Sequence, residues 1–259
     1  MRNLLGPMLV SLLLASSLAG CVGGADESDD ANVVASYEVT NATIVEYWED
    51  GQLVSTQYPS LTFDFARSTA PSAFVAYSVD GEHATGQTDA SESTLVEVEF
   101  TLHGLHRLEL NAEYTASTGK ATVAIGEEIL VRIEKQIMWE EESTNNPAPM
   151  MLDTRNEAGD VPASVLVIDS TVHNPHLIAN IGGGQDVEVS WALIDETDEA
   201  CQSQPGTVED GDSATWKTVH FNTYEVHELH IVYEEGQDLI DVQQSVSIEY
   251  EQLETLPNL

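Results

Sequence analysis

The chain has 259 residues, and 8 Lys and Arg against 45 Asp and Glu give it a formal net charge of −37 at pH 7. This balance excludes nucleic acid as a partner, because binding a polyanion needs a basic surface that displaces its counterions. An anionic membrane surface would also repel the chain, so contact with lipid has to depend on an anchor.

The N-terminus has the pattern of a lipoprotein signal peptide. Arg2 precedes an apolar stretch over residues 4–17, which is followed by Leu-Ala-Gly-Cys at residues 18–21. The stretch is shorter than the roughly 20 apolar residues that span a bilayer, and its flanks match a secretory signal. We expect residues 1–20 to be cleaved, so that Cys21 becomes the lipid-modified first residue of a protein outside the cell. The alternatives are an uncleaved signal anchor and an ordinary signal peptide with a chance cysteine.

The next segment, residues 21–36, is small, acidic and nearly free of large apolar side chains. Such a segment cannot offset its ordering entropy by burial. We expect it to be a flexible acidic tether. One acyl chain anchors a protein only marginally, so two chains are expected on Cys21.

Cysteine content and length limit how the rest of the chain is stabilised. Once Cys21 carries lipid, Cys201 is the remaining thiol, so an intramolecular disulfide is excluded. About 220 residues follow the tether, which is enough for two domains of ordinary size. Their stability has to come from apolar cores.

The excess of acid also indicates the environment of the protein. Like charges destabilise a compact state by self-repulsion unless salt screens them, and halophilic proteins work under such screening. We therefore interpret the source as a salt-adapted microbe, and within that group an archaeon. An ordinary acidic secreted protein is the alternative.

From residue 37 onward the pattern is typical of strands. Short runs rich in Val, Ile, Thr, Tyr and Phe alternate with polar residues and are separated by turn residues. Asp50-Gly51, between two such runs, predicts a hairpin. Residues 127–139 come nearest to a helical period, but their β-branched residues favour a strand. The sequence predicts an all-β protein.

Residues 140–160 interrupt this pattern with acids, polar residues, two prolines and a glycine, which predicts an interdomain linker. We therefore expect a first β-sandwich domain over residues 37–139 and a second over residues 161–252.

The two halves also resemble each other. Residues 100–110 align without a gap with residues 221–231, and residues 75–79 match residues 189–193 at a different offset. We interpret this as a duplication, with chance similarity as the alternative. The shared positions are Phe100 and Phe221, His106 and His227, Leu108 and Leu229, and Leu110 and Ile231.

The stretch Gly-Leu-His-Arg-Leu-Glu-Leu at residues 104–110 resembles the sixth strand of immunoglobulin-like modules. It is similar to the PKD-type repeats of archaeal surface proteins, although the second copy has Glu225 in place of the glycine. The resemblance implies two tandem immunoglobulin-like β-sandwiches, with Trp191 buried between the sheets of the second. Neither half has the cysteine pair of antibody domains.

Histidines are the first candidates for chemistry. His103 and His106, like His227 and His230, are three residues apart. On a strand such residues face opposite sides, so neither pair can chelate a metal from one surface. We expect His106 and His227 to be core residues bonded to a nearby backbone carbonyl, and His103 and His230 to lie on the opposite face, where their loss costs little.

Cys201 follows an acidic loop and has no neighbouring cation that would lower the pKa of its thiol. The adjacent residues lack the His and Met of a blue-copper site. We therefore assign Cys201 neither a nucleophilic nor a metal-binding role. Asn41 begins a glycosylation sequon, Asn-Ala-Thr. Two acidic loops are weak calcium candidates against a solvated surface, through Asp195, Asp198, Glu199, Asp210 and Asp212.

The sequence contains no nucleophile elbow, P-loop, zincin or dinucleotide motif. We predict no catalytic or cofactor-binding residue, and expect a lipid-anchored extracellular protein in adhesion, envelope organisation or binding of a protein or polysaccharide partner. One alternative is the solute-binding lipoprotein of a transporter, although such proteins need helices that this pattern lacks. The other is a metal-dependent extracellular enzyme that uses the scattered histidines.

The charge yields a prediction about salt. Lowering the salt concentration from 1 M to 0.01 M lengthens the screening distance from about 3 Å to about 30 Å, so the melting temperature should fall. The second half should lose more, because after Val161 only Lys217 opposes its acids. Calorimetric melts across this range test the expectation, and an unchanged melting temperature contradicts it.

Overall fold

The computed structural model describes residues 31–116, 119, 121–159, 161–176, 184–221, 223–236 and 239–259. The predicted signal peptide, Cys21 and most of the tether lie outside the described residues. In the described ranges every regular element is a strand, which confirms the all-β class. These ranges contain no helix of the length and apolarity needed to cross a bilayer.

Fifteen strands are assigned in the described parts of the chain. In chain order they are β1 (Asn41–Glu49), β2 (Gln52–Gln57), β3 (Ser60–Asp64), β4 (Phe74–Gly81), β5 (Thr85–Asp89), β6 (Leu95–Glu99), β7 (Gly104–Thr115), β8 (Ala121–Thr144), β9 (Met150–Asp153), β10 (Val165–His173), β11 (Val187–Ile194), β12 (Ala200–Val208), β13 (Ser213–His220), β14 (Val226–Glu235) and β15 (Ile240–Glu249).

The strands form three sheets. A nine-stranded sheet has the order β13-β10-β15-β8-β7-β4-β5, with β1 paired to β8 and β2 paired to β1. A four-stranded sheet has the order β12-β11-β14-β9, and β3 pairs with β6. The β1–β8 pair is parallel, and the other pairs among the described strands are antiparallel.

Strand β8 is shared by the two halves of the chain. Its 24 residues reach about 80 Å when fully extended. It pairs with β7 up to Ile133 and with β15 from Lys135 onward, while β1 runs parallel to residues 132–140. The nine-stranded sheet is therefore continuous from the first half to the second.

Two apolar cores lie against this sheet. The first is built from β3, β4, β6, β7 and the first part of β8, and includes Phe63, Phe65 and Ile133. The second is built from the last part of β8 and the strands that follow, and includes Ile137 and Trp191. Buried residues alternate with partly exposed ones along β10 and β15. This alternation is expected where one face of a sheet packs on a core.

The segment predicted to be a linker, residues 140–160, contains strand structure. Strand β8 continues to Thr144, and β9 pairs with β14 in the four-stranded sheet. The two prolines lie in the short connection between these strands. Met150 and Leu152 are buried in the second core, which explains why this polar segment still forms a strand. The predicted domain boundaries stay predictions.

The predicted hairpin at Asp50-Gly51 is confirmed. It connects β1 and β2, which pair antiparallel. Asp50 has a φ of 49° and Gly51 a φ of 75°, and two positive φ values are what the tight turns of hairpins require.

The matching segments of the two halves have matching neighbours. β4 pairs with β7, and β11 pairs with β14. In each half, the strand with the matching aromatic residue (the aromatic strand, β4 or β11) is therefore paired with the strand that carries His106 or His227 (the histidine strand, β7 or β14). The aromatic residues, Tyr77 and Trp191, are both buried. The registers differ by two residues, because Leu110 lies opposite Val79 whereas Leu229 lies opposite Leu193.

The C-terminal segment returns to the first half. Arg132 donates to both carboxylate oxygens of Glu254, at 2.9 Å from Nε and 2.8 Å from Nη2. Tyr37 and Asn258 exchange backbone hydrogen bonds at 2.7 and 3.1 Å. These contacts join residues more than 100 positions apart in the chain and tie the last residues to the first core.

Candidate functional site

Three side chains that can bind a metal converge in the second half: Cys201, His220 and His227. One ligand atom from each lies within 4.8 Å of the other two. Within the described residues, this is the one group of three or more His, Cys, Asp or Glu side chains with such spacing. The three residues come from β12, β13 and β14, and we refer to them as the Cys–His–His group.

The group lies where the edges of two sheets meet. β12 is an edge strand of the four-stranded sheet, and β13 is an edge strand of the nine-stranded sheet. The side chain of Gln202 connects them, because its Nε2 donates to the Val219 carbonyl at 2.9 Å and its Oε1 accepts from Thr218 Oγ1 at 2.6 Å. Sequence neighbours of the group therefore hold the two edges together.

A β-bulge places Cys201. Leu193 on β11 lies opposite Gln202, and Ile194 lies opposite Ala200, so Cys201 is the extra residue of β12. A bulge changes the direction in which its extra residue points and is frequent at sheet edges and near functional sites. The direction of the Cys201 thiol is therefore set by the bulge and not by the regular alternation of side chains along β12.

The two histidines of the group are buried and pack edge-on. Their ring centroids are 4.8 Å apart at an interplanar angle of 78°. Burial lowers the pKa of His220, and the neighbouring His227 lowers it further. His220 Nδ1 lies 3.5 Å from Gln202 Nε2, while its Nε2 is buried without a hydrogen bond to any described residue. A neutral imidazole is the form that binds metals.

The thiol of Cys201 is free and exposed. Its Sγ lies 3.8 Å from Asp195 Oδ2. Partial burial raises the pKa of the Cys201 thiol, and the charges of Asp195 and Glu225 raise it further. The expectation that this thiol has no lowered pKa is confirmed, and without a metal the group lacks an activated nucleophile.

The acidic loops are organised by their own hydrogen bonds. Asp195 Oδ1 accepts from the backbone and the hydroxyl of Thr197 at 2.8 and 2.7 Å, and from the Glu199 backbone at 3.1 Å. Asp210 Oδ2 accepts from the Gly184 backbone at 3.1 Å. In the described part of the chain, no three carboxylates of these loops come within ligand distance. Calcium binding stays a prediction for Asp195, Asp198, Glu199, Asp210 and Asp212.

The structural role expected for His106 is confirmed. The side chain is buried, and its Nε2 donates to the Leu102 carbonyl at 2.8 Å. Its ring packs edge-on against Phe100, with centroids 5.0 Å apart at 79°. His227 is buried as expected, but it lies beside two further ligand side chains that its local sequence does not reveal.

The expectation for His103 is wrong. This side chain is only 1% exposed, and its Nδ1 lies 2.7 Å from the hydroxyl of Tyr250. Strand β7 begins at Gly104, which has a φ of 136°. The regular alternation of side chains along β7 therefore does not continue to His103. Burial lowers the pKa of His103 to about 4 and raises the pKa of Tyr250. His230 is partly exposed opposite the buried face of β14, as expected.

Asn41 is exposed at the start of β1, and its Nδ2 donates to Glu254 Oε1 at 3.4 Å. Its glycosylation stays a prediction. Cys21, the expected lipid site, is outside the described residues.

Comparisons with known proteins show no family. No family model and no curated protein sequence matches the chain. Among solved structures, it is similar to carbohydrate-binding modules of the β-sandwich superfamily, with 7% identity over 85% of this chain and 97% of that chain, at a TM-score of 0.28. A two-domain protein of unknown function from Bacteroides fragilis has 10% identity over 84% of this chain and 95% of that chain, at a TM-score of 0.24. A chain in the structure of infectious bursal disease virus, Gx strain, has 11% identity over 78% of this chain and 57% of that chain, at a TM-score of 0.28. Likenesses this weak carry no argument about function.

The buried His103 predicts how stability depends on pH. Its pKa is about 4 in the folded state and about 6.5 in the unfolded chain, so between these values the unfolded chain binds a proton that the folded chain does not. Stability is therefore unaffected by this group above pH 6.5 and falls as the pH decreases towards 4. The total loss is up to about 3 kcal/mol.

Urea unfolding at pH 7 and pH 5 measures this effect in the natural protein and in His103→Gln, which cannot titrate. The variant should lose less stability between the two pH values, because the other titrating groups are common to both chains. Equal losses in the two proteins would contradict the assignment.

Proposed function

We propose that the protein is a lipid-anchored, extracellular β-sandwich that binds a partner at the cell surface, in adhesion or envelope organisation, and does not act as an enzyme. The observation that carries the proposal is a pair of exposed aromatic rings in the loop between β13 and β14. Phe221 is 70% exposed and Tyr224 is 73% exposed, more than any other aromatic side chain in the described ranges.

These rings have the properties of a contact surface. Aromatic side chains supply large contact areas and are enriched in interfaces, where a few of them account for much of the binding energy. Val219, at the end of β13, is also exposed and extends the apolar surface towards the loop. The net charge of −37 favours a partner with a neutral or basic surface, such as an uncharged polysaccharide or a basic protein.

The sequence supports the membrane attachment. The pattern at residues 18–21 favours lipid attachment at Cys21, and the first described backbone pairing is between Asn32 and Thr69. The 11 residues from Cys21 to Asn32 reach at most about 40 Å. A lipid on Cys21 would therefore hold the first core within about this distance of the membrane surface.

We also infer a salt-adapted, archaeal source and two tandem modules of the immunoglobulin-like, PKD-type class. The charge distribution supports the first inference, because five of the described basic side chains already contact carboxylates. These are Arg107, Arg132, Lys135, Arg155 and Lys217. Most of the acidic groups therefore depend on dissolved cations for screening.

Replacing Cys21 by Ser should release the protein from membranes or leave an unprocessed precursor, since serine offers no thiol for lipid attachment. Cell fractionation with mass measurement of the N-terminus checks both outcomes. Mature, membrane-bound Cys21→Ser protein would contradict the anchor.

Replacing both exposed rings, Phe221→Ser with Tyr224→Ser, should weaken binding of the purified lipoprotein to isolated cell envelopes by at least about 10-fold. Sedimentation of labelled protein with envelopes measures it. The matched control is Tyr58→Ser, an exposed ring between β2 and β3 of the first half, which should bind normally. Undiminished binding of the double variant, or an equal loss in the control, would contradict a partner site at this loop.

A further inference from the structure

The two halves contain the same edge-on ring pair with different chemistry. In the first half, Phe100 packs against His106 at 5.0 Å and 79°. In the second half, His220 packs against His227 at 4.8 Å and 78°. The second half therefore has an imidazole where the first has a phenyl ring. Phe221, which aligns with Phe100 in sequence, points into solvent instead.

Replacing the phenyl ring by the imidazole of His220 costs free energy unless the ring nitrogens of His220 have bonding partners. A phenyl ring needs no hydrogen bond, whereas a buried ring nitrogen without a partner loses free energy. His220 is only 9% exposed, and its Nε2 makes no hydrogen bond to any residue that the structure describes. In the first half the corresponding requirement is met, because His106 donates to a backbone carbonyl.

We propose that the Cys–His–His group binds one thiophilic transition-metal ion of the Zn²⁺ type, through Cys201 Sγ and one ring nitrogen each of His220 and His227. Thiolate and imidazole are the ligands that such ions prefer in proteins. Binding forms one metal–sulfur and two metal–nitrogen bonds, displaces water ligands of the aqueous ion and releases the thiol proton to solvent.

The spacing of the ligand atoms fits this assignment. Ligands at 2.0–2.3 Å from a tetrahedral zinc ion are about 3.3–3.7 Å apart, and the three atoms lie within 4.8 Å of one another. Closing to the tetrahedral spacing needs small side-chain movements, and Cys201 has room to rotate because it is exposed and lies on a bulge.

The surroundings favour a cation with one open position. Asp195 places a carboxylate oxygen 3.8 Å from Sγ, and the net charge of −37 attracts cations to the whole surface. Three protein ligands leave a fourth position of a tetrahedral ion for water or an outside ligand. That position opens to solvent on the side of the exposed thiol.

The ion would connect three strands at the base of one loop. His220 is the last residue of β13, and His227 is the second residue of β14. A metal held between them and Cys201 closes the loop that carries Phe221 and Tyr224 and joins the two sheets. The site itself does not depend on which partner that loop binds.

The test uses the full lipoprotein, purified in detergent, reduced and stripped of metal with a chelator. Titration calorimetry with Zn²⁺, in buffer with excess Mg²⁺ to occupy the acidic surface, should show one site per chain. Co²⁺ should give the charge-transfer absorption of a cobalt–thiolate bond. Cys201→Ser should abolish that absorption and weaken zinc binding by more than about 100-fold, which exceeds the usual effect of losing a residue that only hydrogen-bonds to a ligand.

Two further variants separate metal binding from folding. His220→Phe recreates the ring pair of the first half, so it should melt at or above the temperature of the metal-free natural protein and yet lose the zinc site. His230→Ala removes a partly exposed histidine from the same strand and should bind zinc normally. The proposal is overturned if zinc uptake is not saturable in the presence of Mg²⁺. It is also overturned if Cys201→Ser and His220→Phe keep full affinity, or if His230→Ala loses as much as they do. None of these measurements involves the envelope partner, so failure of the metal site and failure of the binding role are distinguishable.

Discussion

The whole arrangement depends on the continuity of β8. Ile133 and Ile137 are four residues apart on this strand and belong to different cores. Because side chains on a strand alternate between its two faces, both cores require the same register of β8. A slip of one residue would move the core-facing side chains of β8 in both halves to the opposite face of the sheet. β7, β1 and β15 take their registers from this strand in turn. The two halves therefore share one continuous sheet, although each has its own core.

Two of the eight basic residues of the chain, Arg132 and Lys135, lie on this strand. Arg132, which is buried, binds Glu254 of the C-terminal segment, and Lys135 lies 2.8 Å from Glu46 of β1. The hydrogen bonds from Arg132 lower the pKa of Glu254. In a chain with so few cations, two of them join β8 to segments distant in sequence. Partly buried ion pairs are screened less by salt than exposed ones, so these joints persist at the ionic strength that the acidic surface requires.

Local patterns carried the predictions that succeeded. The strands followed from period-two alternation, the β1–β2 turn from Asp50-Gly51, and the carbonyl bond of His106 from its place in an apolar row. What the local patterns missed depends on long-range pairing. The expectation for His103 was wrong because this side chain is buried beside Tyr250, 147 positions away. The strand structure after residue 140 likewise depends on pairing with β15 and β14. The rule that residues three apart cannot chelate was sound for His227 and His230. It could not show that a bulge at Cys201 and the end of β13 bring two other ligands to His227.

The two halves differ in one buried ring pair and in the loop beside it. Both halves use an aromatic strand beside a histidine strand and bury one edge-on pair of rings. In the first half this pair, Phe100 with His106, is fully accounted for by packing and one carbonyl bond. In the second half the sequence position of Phe100 is taken by the exposed Phe221, and its place in the ring pair by His220. One shift in a short loop thus has two consequences, an aromatic ring in solvent and a second buried imidazole. The proposed partner surface would use the exposed ring, and the proposed metal site would use the second imidazole.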